Sequence, residues 1–269
     1  MKGVHNMQKN ESKDSKDSKD SKDSKDSKAT NVQKRSFSTK VLVKAGFLAT
    51  VSIVLTRFFS LMIPLGGLPA LRVGFGSIPL IMAGMMFGPV VGGITGVVAD
   101  VVGYMINPMG GTFFPGFTLT AALYGILSGI LFKNFKIHQM KINFNYVNAV
   151  VMVAFAIGIL KLMFDNQLTS WLLVVLVLLV TALFVIIPFV IGKRYKDKEQ
   201  KIQFDKIAFA VNLTYVVNAL FLNTLWLSIM FEAGFIGFLP GRVIAAAVTI
   251  PVYTLIIFTM SKFIDLLEQ

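Results

Sequence analysis

The sequence predicts an all-α membrane protein, a polytopic helical bundle of six core transmembrane helices with an extra two-helix hairpin. Three observations carry this. Of 269 residues, 55% are apolar and only 15% charged, where ~25% charged is usual for soluble proteins. The apolar residues come in runs that reach or approach the ~18–20 residues needed to cross a bilayer core. The basic residues gather in alternate connections between those runs, as cytoplasmic flanks do. An ordinary soluble enzyme, a nucleic-acid-binding domain and a secreted disulfide scaffold are thereby excluded. Cysteine is absent, which leaves no disulfide, zinc–thiolate or iron–sulfur site.

Residues 1–40 are compositionally separate. From Ser12 to Asp26 the triplet Ser-Lys-Asp repeats five times. Nothing in it builds a core, so a disordered, solvated cytoplasmic tail is expected. No apolar stretch opens the chain, so a secretory signal is not expected. The first half of the membrane bundle follows over 41–133, with helices predicted at about 44–63, 74–88, 89–106 and 117–132. Pro64 ends the first of these, and Gly88-Pro89 breaks the second from the third. Residues 107–116, rich in Gly and Pro, read as a loop. An inserted hairpin with basic flanks occupies 134–204, with helices at about 146–163 and 169–191. Two last helices, about 207–231 and 241–261, lie within 205–269.

All but four of the 26 basic residues fall on one side of this topology when both termini are cytoplasmic. The net charge of +12 therefore records orientation, with anionic lipid headgroups as neighbours. The exceptions are Arg57, Arg72, Lys161 and Arg242. Lys161, Asp165 and Glu232 sit at helix ends or in short outer loops, where they reach water or headgroups. Arg57, Arg72, Asp100 and Arg242 all lie at the outer ends of their helices. A charge near the membrane interior costs at least ~2.5–3.5 kcal/mol and normally turns inward. Ion pairing and snorkelling account for some of them, but one carboxylate does not neutralise three guanidiniums. A shared polar cavity open to the outside, holding an anionic ligand, accounts for all four.

At ~100° per residue, Asn212, Tyr215, Ala219, Asn223, Trp226 and Met230 share one sector of the helix at 207–231. Asn223 is either helix–helix glue or a ligand contact. Trp226 is either an interfacial belt residue or a flat wall for a ring. Phe114 and Phe117, with Thr112 and Phe113, flank the outer loop as packing or as a lid. Gly84, Gly88, Gly92 and Gly96 recur every four residues, as do Ala121, Gly125 and Gly129. Such stripes let helices approach closely. Ala45 and Ala49 repeat the spacing in the first helix, facing either this chain or a partner, and spacing alone favours burial. No phosphate-binding Gly-xxxx-Gly-Lys-Ser/Thr loop is present, so the chain carries no P-loop ATPase. With His5 in the tail and His138 in a loop, no metal cluster forms in the membrane, and no catalytic set can be assembled.

These residues resemble a known family. The stretches Leu55-Thr56-Arg57-Phe58, Leu71-Arg72-Val73-Gly74-Phe75-Gly76-Ser77-Ile78-Pro79 and Ala83-Gly84-Met85-Met86-Phe87-Gly88-Pro89-Val90-Val91-Gly92-Gly93 look like the substrate-binding S component of energy-coupling-factor (ECF) vitamin transporters, folate type. Ala99-Asp100, Phe114-Pro115-Gly116-Phe117-Thr118, Leu222-Asn223-Thr224-Leu225-Trp226-Leu227 and Leu239-Pro240-Gly241-Arg242 extend the likeness over about 41–133 and 205–262. The resemblance implies a six-helix, non-enzymatic bundle without cofactors that binds folate or reduced folates from outside. It implies association with a transmembrane coupling subunit and two ATP-binding subunits, and release inward by toppling in the cell membrane. It implies Arg57, Arg72, Gly74, Asp100, Phe114, Phe117, Asn223, Trp226 and Arg242 as substrate-binding residues, and Ala45 and Ala49 as docking residues. The Ser-Lys-Asp tail and the hairpin at 146–191 lie outside the family pattern. The alternatives are an S component for another vitamin, a membrane-embedded enzyme acting on an anionic lipid, and a solitary structural membrane protein.

The charge distribution makes a topological prediction. Cysteine placed at Asn107 or Gly237 reacts with an impermeant maleimide added to whole cells, and cysteine at Asn134 does not. The reverse pattern would invert the bundle and close the cavity to the outside.

Overall fold

A computed structural model describes residues 38–65, 68–109, 111–165, 167, 170–194, 202–232 and 234–267. The predicted tail over 1–37, the tip of the 166–169 turn and most of the basic connection at 195–201 lie outside them. The helical body spans Thr39–Gln269. Among the described residues, seven helices are long and apolar enough to cross a membrane, and Ser77–Phe87 is a shorter apolar one.

Helix α1 covers Thr39–Arg57 and stops six residues before the predicted end at 63. An antiparallel hairpin follows in place of its last turns: β1, Ser60–Leu65, pairs with β2, Leu68–Gly74, in the register Ser60↔Gly74 and Met62↔Arg72. The ladder shifts between Ile63 and Leu65, at Pro64, which has no N–H to donate and is tolerated at such an irregularity. Two apolar runs separated by two glycines are a hairpin signal. Hydropathy alone hid it, because the same run also suits a helix.

Helix α2, Ser77–Phe87, ends at Gly88, whose φ of +93° favours glycine. Pro89 then opens α3, Pro89–Ile106, at the position where its missing N–H costs nothing. Helix α4, Pro115–Gly129, runs on through a π-turn at Ile130–Asn134. The glycine stripes meet here. A Cβ on Gly92 would lie 2.7 Å from the Gly84 Cα and 2.8 Å from the Gly125 carbonyl oxygen. Backbone thus touches backbone at the α2–α3–α4 junction, the burial that small-residue spacing predicts. Ser128 tightens it by donating to the Ile81 carbonyl at 3.0 Å.

Helices α5, Phe144–Asp165, and α6, Trp171–Arg194, form the second hairpin. Asp205 accepts the Phe144 N–H at 2.8 Å, an N-terminal cap supplied by a different helix. Helix α7, Phe204–Tyr215, continues through a π-turn, Val216–Leu222, into α8, Asn223–Met230. Helix α9, Phe235–Leu267, starts six residues before the predicted 241 and holds Pro240 and Pro251 inside it. Proline removes one helical bond at each site, and buried surroundings make that tolerable.

The close glycine packing sets an expectation. Gly92→Ala and Gly125→Ala should each cost about 1–3 kcal/mol through overpacking and lower the melting temperature in detergent. Gly158, around which a Cβ meets nothing within 4 Å, takes alanine without loss.

Candidate functional site

A cavity of about 560 Å³ opens between α1, the β-hairpin, the first turns of α2, the outer halves of α3 and α4, the α7–α8 span and α9. Arg57, Arg72, Gly74, Asp100, Phe114, Phe117, Asn223 and Arg242 all line it. Arg72 sits on β2, not at the start of α2 as predicted, and faces solvent at the rim. Arg242 lies two turns inside α9 and is only 7% exposed.

Arg57 closes α1 onto α3. Its Nη2 meets Asp100 Oδ1 at 3.4 Å and donates to the Asp100 carbonyl at 3.2 Å. Its Nη1 donates to the Asn107 carbonyl at 3.2 Å, where α3 ends. The other oxygen of Asp100 accepts from Thr118 Oγ1 at 2.7 Å. Both carboxylate oxygens therefore have protein partners, which places Asp100 in an ion-pair network. Gly103 faces this guanidinium: a Cβ there would lie 2.9 Å from Arg57 Nε.

The π-turn shapes the opposite wall. In an α-helix the Asn223 N–H would bond the Ala219 carbonyl, but here it reaches back to Asn218. The Ala219 carbonyl instead accepts Arg242 Nη1 at 2.7 Å. The wider turn also moves the register. Tyr215, Ala219, Asn223 and Leu227 line the cavity at four-residue steps where 3.6 was assumed, and Met230 follows three residues on. Asn223 Oδ1 is buried there without a protein donor.

Trp226 is consequently displaced from the wall, against the predicted role as a flat contact. It stands behind Phe114, ring centroids 5.9 Å apart, and its Nε1 donates to Thr120 Oγ1 at 3.1 Å. Gly116 gives the two rings room, since a Cβ there would lie 2.6 Å from Trp226 Cδ2. Asn212 is also off this cavity and lies deeper in the bundle.

Tyr215, placed by the sequence on the same sector as Asn223, lies at the deep end with Tyr124, Tyr253, Ser77 and Thr249, which sequence reasoning missed. Ser77 Oγ donates to the Tyr253 hydroxyl at 3.0 Å, and that hydroxyl donates to the Gly74 carbonyl, tying α9 to the exit of the β-hairpin. A tyrosine in an apolar run raises no charge signal, so only the fold reveals this cluster. Ala45 and Ala49 are 7% and 5% exposed; α1 packs on α2 and α3. Their methyl groups are turned inward in this conformation, and Leu42, Val43 and Phe47 are the exposed large apolar side chains at that end of α1.

A polytopic membrane bundle with a deep, arginine-lined cavity at one end defines a membrane-embedded ligand-binding protein. Comparison with known proteins makes this specific. Residues 40–164 match the family model of the ECF transporter, substrate-specific component. Folate transporter FolT of Clostridium novyi (strain NT) is 38% identical over 146 residues, 54% of this chain and 75% of that protein. The crystal structure of FolT bound with folic acid shares the fold, with a TM-score of 0.52 and 23% identity over 84% of this chain and 94% of that one. The chain belongs to the substrate-specific components of ECF transporters, a family of transporter subunits, not enzymes.

The Asp100 network yields a prediction. Asp100→Asn removes the anion facing Arg57 and should cost about 1.5–3 kcal/mol, the scale of a hydrogen bond to a charged group, read as a lower melting temperature. Ligand affinity should fall far less than in variants of Asn223.

Proposed function

We propose that this chain is the folate-binding subunit of an ECF importer, which captures folate from outside and passes it inward with an ATP-driven module. The observation that carries the reading is the cavity's charge and shape. Asp100 pairs with Arg57, and Arg72 and Arg242 bring two further guanidiniums to the lining. Folate brings a glutamate tail with two carboxylates, a flat aromatic middle and a pterin edge of N–H donors and acceptors. A cavity of this volume is within the ~300–1,000 Å³ range of small-molecule sites. The relative named above, a folate transporter, supports the same substrate.

The ligand lies with its glutamate at the rim, by Arg72 and the β-hairpin, and its pterin at the deep end. Guanidinium forks bind carboxylates bidentately, and Arg72 is the exposed one. Asn223 Oδ1, buried without a donor, suits a pterin N–H. Phe114 and Phe117, 5.7 Å apart between ring centroids, offer aromatic edges to the middle of the ligand, and Trp226 acts through Phe114 as a positioning residue. Gly74 brings backbone to the lining at the hairpin exit. In the cell, the subunit spans the plasma membrane with both termini cytoplasmic, as the lysine distribution requires. A coupling subunit with two ATP-binding subunits completes the importer. It meets α1 over Leu42, Val43 and Phe47 rather than over Ala45 and Ala49.

Titration calorimetry with folate and with pteroate, which lacks the glutamate, tests both identity and orientation. Arg72→Ala should weaken folate binding by about one to two decades, equivalent to ~1.5–3 kcal/mol, and leave pteroate unchanged. Asn223→Ala and Arg242→Ala should weaken both ligands. Equal losses for pteroate in Arg72→Ala would reverse the orientation. Unchanged folate affinity in all three variants would remove the cavity as the substrate site.

A further inference from the structure

One turn further along α7 and α9 from Tyr215 and Thr249 lies a second, much smaller void of about 10 Å³. Its walls come from α6, α7 and α9 and include Phe184, Pro188, Asn212, Pro251 and Thr254. Two of these are prolines inside helices, and each leaves a carbonyl four residues back without its N–H partner. Pro188 orphans Phe184, whose carbonyl accepts Asn148 Nδ2 at 3.0 Å. That bond fixes which way the Asn148 amide points. Its oxygen then accepts Asn212 Nδ2 at 2.7 Å. The chain ends at Asn212 Oδ1, which is buried and has no donor, on a residue 1% exposed.

We propose that one water molecule is a structural ligand of this void. It donates one hydrogen to Asn212 Oδ1 and the other to the hydroxyl oxygen of Thr254 on α9, whose own proton goes to the Ile250 carbonyl. The void is at the lower end of the ~10–15 Å³ that a single water needs, and Asn212 and Thr254 supply the two polar partners that are the minimum to hold one. The alternating donors and acceptors running from Phe184 through Asn148 and Asn212 to the water tie the α5–α6 hairpin to α7 and α9. The hairpin is then a fixed part of the bundle, held by polar contacts that lipid cannot replace.

A structure of the full chain at about 2 Å or better tests this directly. One solvent peak is expected about 2.6–3.2 Å from Asn212 Oδ1. An empty void, or an Asn212 amide turned so that its oxygen meets a protein donor, overturns the proposal. Melting temperatures in sodium chloride and in choline chloride at equal ionic strength should coincide. A sodium-specific rise that disappears in Asn212→Leu would mean a cation and not a water. In Asn212→Leu the solvent peak should vanish, and deuterium uptake across residues 180–190 should be about tenfold faster, because the Asn148 amide that holds the Phe184 carbonyl loses its Asn212 partner. Unchanged uptake would sever the link between the water site and the hairpin. Folate affinity is read on the same samples, so failure here stays distinct from failure of the substrate assignment.

Discussion

A carbonyl without a donor costs several kcal/mol in hydrocarbon, and this constraint organises the bundle. Helices satisfy it internally almost everywhere. At two places where they do not, the freed oxygen is found in use. The π-turn at Val216–Leu222 frees the Ala219 carbonyl, and Arg242 takes it. Pro188 frees the Phe184 carbonyl, and Asn148 takes it. The non-helical segment Ser60–Gly74 pairs with itself as two strands, and its exit is bonded by Tyr253. Each irregularity in the backbone therefore brings a polar side chain to a defined place.

The cavity follows from the same rule applied to charge. Arg57 is 6% exposed, and Asp100 with two backbone carbonyls occupies both of its terminal nitrogens. This pair joins α1 to α3 while keeping a polar lining. Arg242 is held from the other side by a neutral carbonyl, which orients the guanidinium without cancelling its charge. The two ends of the cavity thus differ in kind: an ion pair beneath an exposed cation at the rim, and a buried guanidinium bonded to backbone among tyrosines at depth.

Much of this was legible beforehand. The charges at Arg57, Arg72, Asp100 and Arg242 stood out because lipid makes them expensive, and they do line one cavity. The glycine stripes pointed to the α2–α3–α4 contact because only missing side chains let backbones touch. The hairpin at Ser60–Gly74 was not legible from hydropathy, since strand and helix bury the same residues. Trp226 was misplaced because a periodicity of 3.6 does not anticipate a π-turn, whose one-residue slip puts Leu227 on the wall instead. Tyr124 and Tyr253 at the deep end carry no charge or spacing signature, and only the packing of α4, α7 and α9 brings them to Tyr215, which its helical spacing had already marked.

The glycine junction bears on how the chain can change over generations. Gly84, Gly92 and Gly125 are each in contact with backbone on the facing helix. Every amino-acid replacement reachable from a glycine codon by one nucleotide change adds at least a Cβ. No neighbouring codon is therefore a smaller step than a clash, and no compensating change can shrink a partner that is already glycine or bare main chain. The seam is closed to gradual drift, whereas the aromatic and polar lining of the cavity a turn or two away can be exchanged one residue at a time. Ligand preference can diversify on this scaffold while the helix spacing beneath it stays put.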